Sequence, residues 1–190
     1  MQVITEKKEK IINTTLRLIT TRGFHDTPMS LIAKEAEVAA GTIYHYFSSK
    51  EALISELYST LKARMGEALQ KNDQRHGQVK DRFFQFWKNL YQHFIAHPEE
   101  FKFLEQYANS PLVDQDVRDD NTRHYEPILT FMQEGMDAGV LRQMPVLLMA
   151  NLVYGHIVIT AKLALSGDLL ITEEVLQQAI QASWDGAKIN

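Results

Sequence analysis

The spacing of apolar residues predicts a chain that is helical almost throughout. Hydrophobic side chains recur every three or four residues, as on a helix with one buried face, and no alternating β-branched run lies between tight-turn dipeptides. The predicted fold class is therefore all-α, with about nine helices arranged as a three-helix N-terminal head on a larger helical body.

The sequence of the first predicted helix indicates both its buried face and the residue at which it ends. Over about residues 5–21, Ile12, Leu16 and Ile19 share one face, and Gly23 follows, a residue type that readily takes the left-handed conformation in which helices end. Three more helices, two short and one long, are predicted over about residues 29–36, 40–47 and 49–71.

The body is predicted to contain five further helices. They are expected over about residues 79–96, from Pro98 to a break at Asn109-Ser110-Pro111, and over about 114–138, 145–166 and 172–186. Pro127 is expected to kink the third of these, because proline removes a backbone donor and clashes with the preceding turn. We place the domain boundary after residue 48, with a head of residues 1–48 and a body of residues 49–190.

Charge is distributed unevenly along the chain. The formal net charge is −4. Residues 1–50 carry seven Lys and Arg against five Asp and Glu, a balance of +2, and the rest carries thirteen against nineteen, a balance of −6. Contact with a polyanion is therefore expected from the N-terminal end. The absence of cysteine excludes disulfides, thiolate nucleophiles and cysteine-ligated zinc.

Two segments bear on where the protein works. The N-terminus has no apolar run of the signal-peptide kind, which predicts a cytoplasmic protein. The segment 146–165 is long and apolar enough to span a bilayer, but it contains the polar residues Asn151, His156, Thr160 and Lys162. We predict a buried helix there and no membrane partner.

The segment from Thr27 to Phe47 predicts a helix-turn-helix. Two helices of about two turns joined by about three residues let the second enter a major groove while the first crosses the DNA backbone. On a helical wheel Ile43 and Phe47 point inward and His45 outward, which gives a small, hydrogen-bonding outer face instead of the Glu, Lys and Gln of most solvated helices. The alternative is a plain three-helix packing unit with surface tyrosines.

Lys50 is a candidate phosphate anchor. Ser48 and Glu51 have the spacing of a capping box, which places Lys50 in the first turn of the following helix. The helix dipole disfavours a cation there, and a DNA phosphate bound at the same end would remove the conflict. The alternative is a tolerated surface lysine.

These residues resemble the TetR family of bacterial regulators. The resemblance runs from about Lys10 to Leu53, and its carriers are Gly23-Phe24, Ile32-Ala33, Val38, Gly41-Thr42-Ile43-Tyr44-His45-Tyr46-Phe47 and Ser49-Lys50-Glu51. It implies an all-helical homodimer that binds a double-stranded DNA operator. The residues implied to face DNA are Thr27, Pro28, Ala39, Ala40, Gly41, Thr42, Tyr44, His45, Tyr46 and Lys50.

Two places depart from the family pattern. Glu37 stands where the family often has glycine between the short helices, and Ala39-Ala40 replace a common Ser-Lys pair. A non-glycine residue in a left-handed turn costs roughly 1 kcal/mol. The alanines remove a hydroxyl and a cation from the DNA side, so we expect DNA binding with a weaker salt dependence.

The aromatic residues of the body predict either a ligand wall or plain core. Phe83, Trp87, Leu90 and Phe94 form one helical stripe, which is typical of core. The resemblance implies a small-molecule effector inside the body, and an aromatic wall suits a partly apolar ligand. The candidate wall residues are Trp87, Tyr91, Phe103, Tyr107 and Phe131.

The sequence predicts neither a metal site nor a cofactor. His93 and His97 are four residues apart, a spacing that can bind a metal, but no third ligand is evident. Surface histidines are the simpler interpretation.

The last two helices are candidates for a dimer interface. The helix from Val146 is apolar nearly all round and contains a glycine that permits close approach, and the final helix carries an apolar stripe. The candidate interface residues are Gly155, Leu176, Ala179, Ile180, Ser183 and Trp184. The alternative is that both helices are core of a single chain.

The sequence therefore predicts a DNA-binding transcriptional regulator without catalytic activity, and the family resemblance implies a ligand-responsive repressor. One alternative is a DNA-binding architectural or cell-division factor with many sites and no effector, and another is a helical small-molecule-binding protein or enzyme without specific DNA binding. The body's polar residues would then have to form a catalytic set, and nothing in the sequence brings together Glu105, Gln106, Asn151 and His156.

Overall fold

The computed structural model describes residues 2–107, 110, 112, 113 and 115–189. Over these residues the chain forms ten α-helices, one 3-10 helix and no strand, which confirms the all-α class. The helices are α1 (Gln2–Arg22), α2 (Met29–Glu35), α3 (Ala40–Tyr46), α4 (Lys50–Leu69), α5 (Val79–Ala96), α6 (Pro98–Tyr107), α7 (Gln115–Asp120), α8 (Glu126–Asp137), α9 (Val146–Ser166) and α10 (Glu173–Ala187).

Most helix ends lie where the sequence places them. Gly23, Gly139 and Gly167 have φ angles of 84°, 69° and 78°, the left-handed conformation that ends a helix. The hydroxyl of Thr172 accepts a hydrogen bond of 3.3 Å from the amide of Val175 and caps α10.

The predicted kink at Pro127 is wrong. The chain leaves α7 at Asp120, forms a 3-10 helix over Asn121–His124, and starts α8 at Glu126 with Pro127 in the first turn. Proline is harmless in a first turn, where its missing N–H has no helical partner, so a new helix begins instead of an old one bending. The predicted break at Asn109 and Pro111 and the predicted start at Asp114 lie outside the described residues.

The chain divides into two compact units, Met1–Ala63 with Glu99–Asn121 and Arg64–Pro98 with Thr122–Asn190. These limits differ from the boundary predicted after residue 48. The helix α4 begins in the first unit and ends in the second, and α6 and α7 belong to the first. The functional division after residue 48 stays a prediction.

The core of the first unit fixes the short helices. Ile12, Leu16 and Ile19 of α1 are buried as predicted. They share the interior of this unit with apolar residues of the next three helices, which include Ile32, Ile43, Leu53 and Leu57. Burial of one face of α2 and of α3 leaves the other face of each helix to solvent.

The second unit is built around α9, which packs against α5, α8 and α10. Aromatic side chains dominate this core, among them Phe83, Trp87, Phe94 and Phe131. The helix α9 is long and apolar enough to cross a membrane. Core helices of soluble proteins often have the same length and composition. One face of α9 is buried in this unit and the other carries exposed apolar residues.

Candidate nucleic-acid interface

The turn between α2 and α3 is set by the end of α2. The amide of Glu37 donates to the carbonyl of Lys34 at 3.0 Å, and the amide of Val38 donates to the carbonyl of Ala33 at 2.9 Å. Glu37 itself has a φ of 52°, so this is a Schellman end with glutamate in the position that favours glycine. The left-handed conformation predicted for Glu37 is confirmed.

The carboxylate of Glu37 forms an ion pair within the first unit. Lys10 of α1 pairs with it at 2.5 Å, and this hydrogen bond and charge lower the pKa of Glu37. A second base of α1, Arg17, pairs with Glu35 at 3.1 Å. Each of these two acids therefore has a basic partner on α1.

The helix α3 presents the face that the helical wheel predicts. Ile43 is fully buried, and Phe47 directly after the helix is buried with it. The opposite side is open to solvent, and its exposed residues are Ala39, Ala40, Gly41, Tyr44 and His45. Tyr44 exposes 57% of its surface, which leaves its ring available to another molecule.

Gly41 has no packing reason to be glycine. A Cβ built at this position meets no atom of the chain within 4 Å, and its φ lies outside the left-handed region. A glycine with open space beside it allows another molecule's backbone to approach closely. Thr42 and Tyr46 of the same helix are half-buried.

Thr27 lies inside the molecule, which corrects the prediction that it faces DNA. It is fully buried, and its hydroxyl donates to the carbonyl of Gly23 at 2.8 Å. Pro28, the next residue, is exposed and is the N-cap of α2. Thr27 therefore holds the turn between α1 and α2 while its neighbour occupies the surface.

Lys50 is the first residue of α4, and its side chain reaches back to Phe24. The ammonium nitrogen donates to the carbonyl oxygen of Phe24 and lies 3.8 Å from the centroid of the Phe24 ring. Partial burial lowers the pKa of Lys50, against the opposing charges of Glu51 and Asp26. Phosphate contact by Lys50 stays a prediction, and the structure adds a contact inside the head.

The cap of α4 is Ser49, not Ser48. The hydroxyl of Ser49 accepts from the amide of Ala52 at 3.1 Å, and the carbonyl of Ser49 accepts from the amide of Leu53. The predicted capping box is wrong, because the residue three positions after Ser49 is Ala52, which has no side-chain acceptor for the reciprocal hydrogen bond.

Comparison with known proteins decides the family. The model of bacterial regulatory proteins of the tetR family matches residues 11–57. The model of the Tetracyclin repressor-like C-terminal domain matches residues 78–188, more than half of the chain. The chain belongs to the TetR family.

TetR-family relatives match over most of their length. An HTH-type transcriptional regulator of Haemophilus influenzae Rd is 26% identical over 183 residues, 96% of each chain. The HTH-type transcriptional repressor NemR of Escherichia coli K12 is 25% identical over 140 residues, 70% of this chain and 69% of that protein. The crystal structure of a TetR-family transcription regulator from Marinobacter aquaeolei VT8 superposes with a TM-score of 0.92 at 21% identity, covering 100% of this chain and 99% of that one.

These matches make the protein a DNA-binding transcriptional regulator of the TetR family. Its relatives are regulators, a class of proteins that are in general not enzymes. In the described part of the chain, no group of three or more His, Asp or Glu side chains has a geometry that would hold a metal.

The residues predicted to line an effector site are all buried. Trp87, Tyr91 and Phe131 belong to the second unit, and Phe103 and Tyr107 to the first. Trp87 stacks on Tyr91 with ring centroids 6.0 Å apart, and Phe103 stacks on Tyr107 at 4.6 Å. Burial fits a core and a ligand wall equally, so their contact with a TetR effector stays a prediction.

The residues predicted for the TetR dimer interface fall into two groups. Gly155 is exposed on α9 and Ala179 is half-buried. The other four have little surface left for a partner because they are buried within their own chain; they are Leu176, Ile180, Ser183 and Trp184. Sequence reasoning missed the exposed leucines on the outer face of α9, since a helix that is apolar all round does not indicate which side is covered.

Proposed function

We propose that the protein is a repressor that binds its operator as a homodimer and is released from DNA by a small-molecule effector. The E. coli relative is named a transcriptional repressor, which supports repression. TetR-family membership supports the dimer and the effector. Since its target is the chromosome, we place its action in the cytoplasm.

The observation that carries the dimer is an exposed apolar stripe on α9. Leu148, Leu152, Gly155 and Ile159 follow one another at intervals of three and four residues and so share a face. Leu148, Leu152 and Ile159 expose 50%, 50% and 52% of their surfaces. A stripe of this kind on a helix of a soluble protein marks an interaction site.

A second copy of the chain fits this stripe. A Cβ added at Gly155 meets nothing within 4 Å, so another helix is able to approach α9 closely at its middle. In a twofold dimer the same patch contributes from both subunits, and α9 would then lie against its copy. The proposed interface is therefore centred on α9, with α10 supporting it from within the chain.

Each subunit contributes one recognition helix. The proposed DNA-facing residues are Pro28, Ala39, Ala40, Gly41, Thr42, Tyr44, His45, Tyr46 and Lys50. In a twofold dimer the two copies of α3 enter successive major grooves, about 34 Å apart along the DNA. The operator is thus expected to be an inverted repeat.

Release requires that the effector distinguish two conformations. A ligand shifts an equilibrium only by its difference in affinity between the two states. The helix α4 starts at Lys50 in the first unit and ends at Leu69 in the second, so it links the two units through continuous chain. We propose that α4 transmits a rearrangement of the second unit to the phosphate anchor.

Sedimentation and gel-shift measurements on the full chain test the proposal. Leu152→Asp places a charge in the middle of the stripe, and we expect it to dissociate the dimer and to weaken operator binding together. Ile95→Asp, on an exposed apolar residue of α5, is the matched control and is expected to change neither. A Leu152→Asp protein that stays dimeric and binds DNA normally would contradict the proposed interface.

Loss of the gene is expected to raise transcription from the bound promoters, and a fall would contradict repression.

A further inference from the structure

A polar cleft opens in the second unit where the residues after α4 meet α5 and α8. Its volume is about 570 Å³, within the range of small-molecule sites. Four basic side chains line it, together with three acidic ones and the apolar surfaces of Pro127 and Phe131. Of the five residues that the sequence predicts as effector wall, Phe131 alone belongs to this lining.

The wall of the cleft contains a guanidinium held in a fixed orientation. Arg82 donates from Nε and Nη2 to the two carboxylate oxygens of Asp73, at 2.9 and 3.1 Å. Its guanidinium carbon lies 4.5 Å from the ring centroid of Phe131 and 5.6 Å from that of Phe86. With 11% of the side chain exposed, Arg82 is almost entirely buried, and its planar group has little freedom to turn.

Arg82 has hydrogen-bonding capacity left over. A guanidinium has five N–H donors, and the pairing with Asp73 uses two. Nη1 lies 3.7 Å from the nearest carboxylate oxygen of Glu134, an ion pair too long for a hydrogen bond. Within the described residues no hydrogen bond uses Nη1. Because Arg82 lines the cleft, Nη1 has N–H groups available to an acceptor placed there.

The geometry of the Arg82 guanidinium favours an oxyanion as that acceptor. Asp73 pairs with Arg82, and the cleft is also lined by Arg75, Arg123, Glu126 and Glu134. The first turn of α8, at Glu126 and Pro127, borders the same space, and its amide dipoles add positive potential. Arginine is the side chain best matched to the paired oxygens of carboxylates and phosphates.

We propose that this cleft binds a small molecule bearing a carboxylate or phosphate group, with the oxyanion against Nη1 of Arg82 and beside Arg75 and Arg123. The remainder of the ligand lies along Pro127 and Phe131. A regulatory role for this ligand rests on the proposed function, in which an effector releases the protein from DNA. The cleft is placed for that role because it includes residues next to the end of α4.

Calorimetric titration of the full chain without DNA tests the site. The probes are benzoate, inorganic phosphate and the neutral isostere benzamide, each at low ionic strength. We expect at least one of the two anions to bind at millimolar concentrations or below, and benzamide to bind at least tenfold more weakly than benzoate if benzoate is the ligand. The stronger anion identifies which oxyanion the cleft prefers.

Two variants and one control locate the binding. Arg75→Gln removes an exposed charge from the cleft and is expected to weaken anion binding about tenfold. Arg82→Lys keeps the charge but loses the planar guanidinium with its paired N–H donors, and it is expected to weaken anion binding more strongly. Lys80→Gln makes the same charge change on α5 outside the cleft and is expected to leave affinity unchanged. Should Arg82→Lys fail to fold, Arg75→Gln still decides.

Three outcomes would overturn the site: no anion binding at tens of millimolar, benzamide binding as tightly as the anions, or equal losses in Arg75→Gln and Lys80→Gln. Because the titration contains no DNA, these results would leave the operator-binding proposal standing. Failure of operator binding, in turn, would leave the measured anion affinity intact.

Discussion

The ammonium group of Lys50 donates to the backbone carbonyl of Phe24 and lies 3.8 Å above the Phe24 ring. This contact joins the first residue of α4 to the turn that precedes the helix-turn-helix. The residue proposed to hold a DNA phosphate therefore also helps to fix the element that must be oriented on DNA. The two roles make different predictions.

Lys50→Ala is expected to weaken binding to all DNA sequences about equally. Loss of one phosphate contact lowers the slope of log affinity against log salt by about one unit. The measurement is a set of DNA titrations with specific and random fragments at several salt concentrations. A loss confined to the specific fragment would argue against a phosphate anchor.

Phe24→Leu separates the two roles of Lys50. It removes the ring under the ammonium group and leaves the lysine and the carbonyl in place, so we expect the free energy of unfolding to fall by about 1 kcal/mol or more. The salt slope of DNA binding is expected to stay within experimental error of the wild type. A slope reduced as much as in Lys50→Ala would show that the lysine acts only through the turn.

Gly41→Ala is expected to separate stability from function. Alanine is favoured over glycine in a helix by about 0.5–1 kcal/mol, and the added methyl meets nothing in the chain. We expect a slightly higher unfolding midpoint and weaker operator binding, because the methyl occupies space that the DNA approaches. Unchanged DNA affinity in a stabilised variant would remove Gly41 from the interface.

Glu37→Gly is expected to improve both properties. Glycine relieves the left-handed strain at φ 52°, about 1 kcal/mol, less the small contribution of an exposed ion pair with Lys10. Removal of the acid also frees Lys10 to attract phosphate, which raises DNA affinity and steepens its salt dependence. Chemical denaturation and DNA titration measure the two effects, and Glu37→Gln serves as the charge-only control. A destabilised glycine variant would contradict the strain.

Lys62 makes stability depend on pH. This lysine of α4 is buried in the first unit, and burial lowers its pKa from 10.5 to about 8, against the opposing charge of Glu105. Below pH 8 the folded chain bears the full cost of a buried cation, about 3 kcal/mol. Between the two pKa values the unfolded chain holds a proton that the folded chain lacks, so stability rises with pH.

Lys62→Met is expected to remove that dependence. The variant should be more stable than the wild type near neutral pH, and the difference should shrink between about pH 8 and about pH 10 as Lys62 loses its proton. Urea unfolding at several pH values measures the difference in free energy of unfolding between the variant and the wild type. The titration of other groups is common to both proteins and cancels in this difference. A difference that stays constant with pH would show that Lys62 keeps an ordinary pKa.

The sequence predicts what depends on local pattern. The wheel of α3 places Ile43 inside and His45 outside, and Gly23 and Gly167 stop helices where left-handed geometry is needed, all as the structure has them. These features depend on spacing within a few residues, which is why single-sequence reasoning finds them.

Features that depend on distant residues escape such reasoning. Thr27 is buried with its hydroxyl donating to the carbonyl of Gly23, directly after α1, and the pairing of Arg82 with Asp73 depends on the turn between α4 and α5. The exposed side of α9 is fixed by packing against α5, α8 and α10, since its own sequence is apolar on every side. Each of these features depends on tertiary packing, which the local sequence pattern does not specify.

The most direct test of DNA recognition is selection of genomic fragments by the full chain, followed by footprinting with the wild type and with His45→Ala. The wild type is expected to protect a few inverted-repeat sites with half-site centres about 34 Å apart. His45→Ala is expected to lose roughly 1–3 kcal/mol of discrimination at particular bases while keeping non-specific affinity. Absence of any sequence preference at every salt concentration, or a His45→Ala footprint identical to the wild type in affinity and sequence, would contradict recognition through the outer face of α3.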